Sequence, residues 1–171
     1  MSNYNDSRFP GPDPYAPLKD LPTFTLTSTD IVDVEKLSEA LVGDDATSPQ
    51  LAWSDLPEGT KSLAVTCFDP DAPTPSGFWH WAVFNIPADV TSLKVGAGDK
   101  ELAGLPDGAT ALRGDSGSRG YYGAMPPEGH GPHRYLYAVH AVSEKLDIDD
   151  RSTATVLGFN LNFKATARGI I

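Results

Sequence analysis

Two short clusters of histidine, carboxylate, proline and glycine stand out from the rest of the 171-residue chain. Residues 69–81 read Asp-Pro-Asp-Ala-Pro-Thr-Pro-Ser-Gly-Phe-Trp-His-Trp, and residues 121–135 read Tyr-Tyr-Gly-Ala-Met-Pro-Pro-Glu-Gly-His-Gly-Pro-His-Arg-Tyr. A carboxylate can orient a neighbouring imidazole and favour its charged form, which donates hydrogen bonds. Glycine-rich backbone can approach a ligand closely and offer its N–H groups. Together the two clusters predict a pocket for a small anion.

The histidines and aspartates of the clusters would do the binding. His80 and His133 would donate hydrogen bonds to the anion. Asp69 and Asp71 would set the imidazole tautomers and raise the histidine pKa values, so binding should weaken as the pH rises. Aromatic side chains are available for the pocket walls, namely Phe78, Trp81, Tyr122 and Tyr135. The alternative interpretation is that the aspartates only form turns and the histidines are satisfied core residues.

Other chemistries find less support in the residues. His130 and His133 could ligate a divalent metal with the aspartate pair, but the proline between them prevents the helical face that usually aligns such ligands. The chain has no Gly-x-Ser-x-Gly elbow, no Walker loop and no dinucleotide-binding glycine fingerprint. Cys67, the only cysteine, lies in an apolar run, which indicates a small buried side chain and no disulfide. We therefore expect neither a metal nor a cofactor.

Each cluster lies next to a segment that is apolar on both faces, as is typical of a strand in the middle of a sheet. Three such strands are predicted, at residues 62–68, 80–86 and 134–142. Loops that leave neighbouring strands at one end of a sheet can converge, and binding residues are often found on such loops. The predicted sheet would therefore bring the two clusters together.

The remaining elements are predicted from the spacing of apolar residues and from composition. Alternation around Phe24 and Leu26 predicts a further strand, residues 33–42 carry a weak helical pattern, and the glycine-rich residues 96–120 predict a long surface loop. Residues 152–168 predict a C-terminal helix against the sheet. Four apolar residues stand at helical spacing for that contact: Val156, Phe159, Phe163 and Ala167.

Composition limits the architecture and the partners. Gly 16 and Pro 15 are too many for a helix bundle, and the length suits one domain, predicted at residues 21–171. Residues 1–20 read as an extended Pro-rich arm with Phe9 and Tyr15 as anchors. A formal net charge of −10 disfavours nucleic acid and anionic membrane surfaces. No signal peptide or membrane span is recognised, which predicts a cytoplasmic protein without stable membrane insertion.

The motifs resemble those of a known family. Asp69-Pro70-Asp71-Ala72-Pro73 followed by Trp79-His80-Trp81-Ala82-Val83-Phe84-Asn85-Ile86-Pro87 resembles the first signature of the phosphatidylethanolamine-binding protein family, in particular its bacterial Raf-kinase-inhibitor-like (YbhB/YbcL) branch. Pro126-Pro127-x-Gly-x-Gly-x-His133-Arg134-Tyr135 resembles the second signature. The resemblance implies a mainly β fold, in which a large antiparallel sheet is flanked by a smaller sheet and by helix.

The resemblance also implies a site and an activity. The matching pocket residues are Asp69, Asp71, Phe78, His80, Pro126, Pro127, His133 and Tyr135, and a cis peptide before Pro73 is implied as well. The implied function is non-enzymatic binding of phosphate or a phosphorylated head group, with an inhibitory or regulatory role. Two alternatives stay open: a hydrolase that uses the same His/Asp set, and a protease or kinase inhibitor that acts through a protein surface. The likeness also makes a homodimer reasonable.

Overall fold

Strands dominate the computed structural model, which describes residues 11–171. The strands and the single α-helix of this part of the chain follow in order: β1 Thr25–Thr27, β2 Leu51–Ser54, β3 Ser62–Asp69, β4 Phe78–Pro87, β5 Ser92–Leu93, β6 Thr110–Ala111, β7 Leu136–Val142, α1 Ala154–Lys164 and β8 Ala165–Ile170. One 3₁₀ turn, Glu39–Leu41, is all that forms where the sequence carries its weak helical pattern. The strands predicted at residues 62–68, 80–86 and 134–142 are confirmed as β3, β4 and β7.

Two antiparallel sheets build the domain. The larger has the order β6-β4-β3-β7-β8, and the smaller has the order β1-β2-β5. All seven residues of β7 are buried, since this strand has neighbours on both edges and both faces are covered. The predicted fold class, a large antiparallel sheet with a smaller sheet and helix, is confirmed.

The larger sheet has a different cover on each face. One face packs against the smaller sheet, where Leu51 and Trp53 join Val65 in one apolar cluster. The other face packs against α1, where Ala64 and Leu157 belong to a second cluster. Successive side chains of a strand point to opposite faces, so alternate residues of β3 enter the two clusters. We call these the small-sheet face and the helix face.

The C-terminal prediction is wrong in two respects. The helix ends at Lys164 instead of continuing to residue 168, and its buried residues are Ala154, Leu157 and Leu161. Phe159 and Phe163, predicted to face the sheet, are 66% and 64% exposed. Residues 165–170 form β8 because this segment pairs along the edge of β7, and these backbone hydrogen bonds outweigh the local helical pattern.

The described part of the N-terminal arm lies against the domain. The backbone N–H of Lys19 donates to Asn162 Oδ1 at 2.9 Å, and the Arg168 guanidinium lies 4.6 Å from the centre of the Tyr15 ring. Phe9, the other predicted anchor, lies outside the described residues. Within residues 11–171 we find no helix of the length and apolarity needed to cross a bilayer.

Candidate functional site

A β-bulge at the start of β4 positions His80. Cys67 of β3 pairs with Trp81, and the next residue, Phe68, pairs with Trp79, so His80 is the extra residue between them. Bulges of this kind redirect one side chain without ending the strand, and they are common beside functional sites. The His80 ring lies 4.8 Å from the Phe78 ring, centre to centre.

Asp69 and His133 connect the two sequence clusters. Asp69 is the last residue of β3, and its Oδ2 lies 2.8 Å from Nδ1 of His133. Both side chains are only 3% exposed. A carboxylate oxygen can only accept, so Nδ1 of His133 carries the proton and Nε2 remains for another partner. The predicted role of Asp69, to set the tautomer of a pocket histidine, matches this contact.

Asp71 has a different partner from the one predicted. Arg134 donates to its carboxylate from Nε at 2.8 Å, from Nη2 at 2.7 Å and from the backbone N–H at 2.8 Å. Burial by itself would raise the pKa of Asp71, but the Arg134 hydrogen bonds and charge outweigh it and hold the pKa below its ordinary value. The Asp71–Arg134 pair therefore holds the two loops together, and it leaves Asp71 no role in orienting an imidazole.

His80 obtains its orientation from the backbone. Its Nδ1 lies 2.8 Å from the carbonyl oxygen of Tyr122, which can only accept, so Nδ1 carries the proton. Burial lowers the pKa of His80, and the Tyr122 bond and the nearby Asp69 charge only partly offset this. The prediction that the carboxylates raise the histidine pKa is therefore wrong for His80. At neutral pH its Nε2 is a hydrogen-bond acceptor.

Three of the four predicted wall residues surround His80. Tyr135 meets it edge-on at 5.2 Å, Tyr122 stacks at 5.8 Å, and Phe78 is the third. Burial, with the Asp69 charge, raises the pKa of Tyr135, so its hydroxyl stays protonated. Trp81 is the exception, because it is buried in the core, where its ring meets Tyr121.

The second cluster forms the exposed rim of the site. Pro126 and Pro127 are both exposed. Gly129 and Gly131 have φ angles of 84° and 80°, in the left-handed region that favours glycine. The bend of this loop thus explains the two glycines. The peptide bond before Pro73 is trans, contrary to the implied cis bond.

A cavity of about 420 Å³ opens beside this rim. Pro126, His133 and Tyr135 form one side, and residues 31–37 with Ile171 form the other. His133 therefore lies both at the contact with Asp69 and at the wall of this cavity. Within residues 11–171, no group of three His, Cys, Asp or Glu side chains is placed to hold a metal ion.

Sequence reasoning missed Arg134 and the carbonyl of Tyr122. The arginine directly after His133 was a usable signal. A guanidinium pairs strongly with a carboxylate, so one of the two aspartates should have been assigned to Arg134 and not to a histidine. The Tyr122 contact had no signal, since a backbone carbonyl is present at every residue. Cys67 is buried as predicted, and burial raises the pKa of its thiol.

Comparison with known proteins identifies the family. The sequence profile of the phosphatidylethanolamine-binding protein family matches residues 18–171. The chain belongs to this family. UPF0098 protein YbhB of Escherichia coli K12 is 46% identical over 153 residues, which are 85% of this chain and 96% of YbhB. UPF0098 protein YbcL of the same organism is 48% identical over 146 residues, 81% of this chain and 80% of YbcL.

Solved structures agree with this assignment. The crystal structure of E. coli YbcL, described as a new member of the mammalian PEBP family, superposes with a TM-score of 0.83 at 46% identity, and the match covers 86% of this chain and 94% of YbcL. The homologue CT736 of Chlamydia trachomatis shares the fold, with a TM-score of 0.74 at 24% identity over 87% of this chain and 94% of CT736. The predicted family and branch are thereby confirmed.

Proposed function

We propose that this PEBP-family protein binds a small phosphorylated anion without chemically changing it. The observation that carries the proposal is that both histidine rings are held in place through Nδ1. Nδ1 of His133 is occupied by Asp69 and Nδ1 of His80 by Tyr122, so each ring is fixed through Nδ1 and Nε2 is the nitrogen through which we expect it to meet a ligand. The proposed ligand residues are Asp69, Asp71, Phe78, His80, Pro126, Pro127, His133 and Tyr135, with the aspartates acting by holding the others in place.

The geometry favours an anion that carries a proton. Nε2 of His80 is an acceptor at neutral pH because burial lowers the pKa of this imidazole. A phosphate monoester has a second pKa near ~6, so in slightly acidic solution a substantial fraction presents both P–O⁻ acceptors and a P–OH donor. Its hydroxyl would donate to His80, and its charged oxygens would accept from Nε2 of His133 when that atom is protonated. Sulfate offers no such donor and should bind more weakly.

The cavity beside the rim favours a phosphate ester over inorganic phosphate. Its apolar lining includes Ile31, Val32, Leu136 and Ile171. An organic substituent would bury apolar surface there and so add affinity. A head group such as O-phosphorylethanolamine combines the two features, which makes a phospholipid head group or a phosphorylated metabolite the class of ligand.

Calorimetric titration at pH 6.5 tests this proposal. Phosphate and O-phosphorylethanolamine should give saturable heats with the wild-type protein, and sulfate should bind at least several-fold more weakly. His133→Ala should lose about tenfold or more in affinity, since a charge-assisted hydrogen bond contributes roughly 1.5–3 kcal/mol. His130→Ala is the comparison variant: its ring is exposed in the same loop and lies 5.7 Å from that of His133, and its loss should lower the affinity much less than the loss of His133. Equal affinities for the wild type and His133→Ala would overturn the site.

Two further measurements separate binding from catalysis. Affinity should fall as the pH rises from 6 to 8, because the phosphate ester loses the hydroxyl that would donate to His80. A screen with phosphatase and esterase substrates should give no turnover. Turnover that His80→Ala abolishes would replace the binding proposal with a hydrolase.

A further inference from the structure

A second cavity, of about 480 Å³, lies on the helix face of the large sheet. Its floor includes Thr66 and His140, α1 supplies Gly158 and Phe159 as one wall, and Tyr15 of the arm closes another. Thr66 lies two residues from Ala64, which packs against α1, so its side chain is on the helix face. The proposed anion site begins at Asp69 on the small-sheet side. The two cavities are therefore separate.

His140 is a buried hydrogen-bond donor on this floor. Nε of Arg168 lies 3.0 Å from Nε2 of His140, and a guanidinium only donates, so Nε2 accepts. The neutral ring must then carry its proton on Nδ1. This N–H is buried and has no hydrogen-bond partner within residues 11–171, and His140 is only 3% exposed. Burial and the Arg168 charge lower the pKa of His140 to about 3, which keeps this tautomer at neutral pH.

Thr66 adds a second unused polar atom. Its hydroxyl is buried and has no hydrogen-bond partner in the described part of the chain, and the residue is 1% exposed. A buried polar group without a partner costs roughly 1–3 kcal/mol, so two such groups on one floor favour an added acceptor. The surroundings are apolar and aromatic, with Phe68 and Trp79 beside them. Apolar walls with a few convergent polar groups are typical of small-molecule sites.

We propose that the helix-face cavity binds an uncharged apolar molecule with one oxygen acceptor, such as a ketone, ester or amide, which accepts from Nδ1 of His140 and from the Thr66 hydroxyl. Its apolar body lies between Trp79 and Phe159. The volume of the cavity falls within the roughly 300–1,000 Å³ of sites that hold drug-sized ligands. The site is independent of the anion pocket, so both can be filled at once.

Gly158 allows a test that separates filling the cavity from damaging the fold. A Cβ at this position would lie 3.8 Å from Trp79, an ordinary contact, so side chains fit there. Gly158→Ala and Gly158→Leu should both raise the midpoint of thermal unfolding, because glycine disfavours the helix interior. Only the leucine should fill the cavity. The probe is 2-acetylnaphthalene, titrated into the full ¹⁵N-labelled chain and followed by NMR.

The expected result is saturable shifts of the Trp79 indole N–H and of Nδ1 of His140 in the wild type and in Gly158→Ala, with no binding to Gly158→Leu. The hydrocarbon analogue 2-isopropenylnaphthalene has the same shape without the oxygen and should bind roughly fivefold more weakly. Thr66→Val should reduce this difference. Equal affinity for the two probes, binding to Gly158→Leu, or binding only after removal of residues 1–10 would each overturn the proposal.

Discussion

His133 precedes β7 and His140 lies within it, and the two histidines differ in the charge beside them. On the small-sheet side, His133 lies 2.8 Å from the Asp69 carboxylate. On the helix face, His140 lies 3.0 Å from the Arg168 guanidinium. A neighbouring carboxylate stabilises the protonated imidazole, whereas a neighbouring guanidinium opposes it. The same residue type therefore serves two chemistries, a proposed anion contact beside a carboxylate and a hydrogen-bond donor that is neutral near neutral pH beside a guanidinium.

The two regions also differ in how fully their polar groups are paired. Around the proposed anion site the carboxylates of Asp69 and Asp71 both have partners in the second cluster, so each bond fastens one loop to the other. On the helix face Thr66 and His140 retain unpaired atoms. Pairing of this kind stiffens the first region, while the second keeps polar groups that the proposed ligand would pair.

The largest expected effect comes from breaking the pairing on the anion side. Asp71→Ala removes the carboxylate and leaves the guanidinium of Arg134, which is 3% exposed, without its main partner. Removing one member of a buried ion pair costs about 3–5 kcal/mol, so the free energy of unfolding in urea should fall by that amount. Asp149→Ala breaks the exposed pair with Arg151 and should leave the urea midpoint unchanged. Similar losses in the two variants would contradict the difference between the pairs.

The next effect tests the neutral histidine of the helix face. The unfolded chain protonates His140 below about pH 6.5, while the pKa in the folded protein is about 3. The unfolded state therefore takes up the proton first, and stability is lost as the pH falls from 6.5. At about 1.4 kcal/mol for each pKa unit, the loss between pH 6.5 and 4 amounts to roughly 3 kcal/mol.

Urea unfolding across that pH range measures the loss. His140→Phe keeps a ring in the core and should flatten the dependence, whereas His130→Ala, on the exposed loop, should leave it unchanged. The comparison concerns the slope with pH, because His140→Phe also removes the acceptor of Arg168. A slope that is the same in His140→Phe and wild type would show that another group causes the acid loss.

The smallest effect concerns the start of α1, the wall of the helix-face cavity. The Thr153 hydroxyl accepts from the backbone N–H of Val156 at 3.2 Å and caps the helix. Thr153→Ala should cost about 1 kcal/mol, a typical value for a lost N-cap. Thr153→Ser keeps the oxygen and should stay close to wild type in thermal unfolding. The cap acts locally, so neither variant should change phosphate affinity.

The central strands could be predicted from sequence because burial on both faces leaves a direct pattern. Residues 62–68 and 80–86 are each apolar at five of seven positions and on both faces, which is typical of a strand between two covered faces. The pairing of the two motif loops followed from the same reasoning, since each loop adjoins such a strand. The contact between Asp69 and His133 is a direct consequence.

Other features could not be predicted, for physical reasons. Phe159 and Phe163 have helical spacing, but Leu157 and Leu161 have the same spacing on another side of the helix, and spacing does not decide which set meets the sheet. Residues 165–170 became β8 through pairing with distant β7, which no local pattern records. The low pKa of His80 depends on its burial in the folded chain.

The bulge at His80 also matters for how the sheet ends. The two-residue β6 pairs with only a small part of β4. The rest of that edge of β4 would be open, and another chain could add a strand there. The bulged segment instead accepts from its own chain: the N–H of Asp115 donates to the carbonyl of Trp79 at 2.9 Å, and that of Tyr122 to the carbonyl of His80 at 3.0 Å. The backbone that positions His80 thereby also occupies carbonyl groups of β4 to which an added strand would otherwise pair.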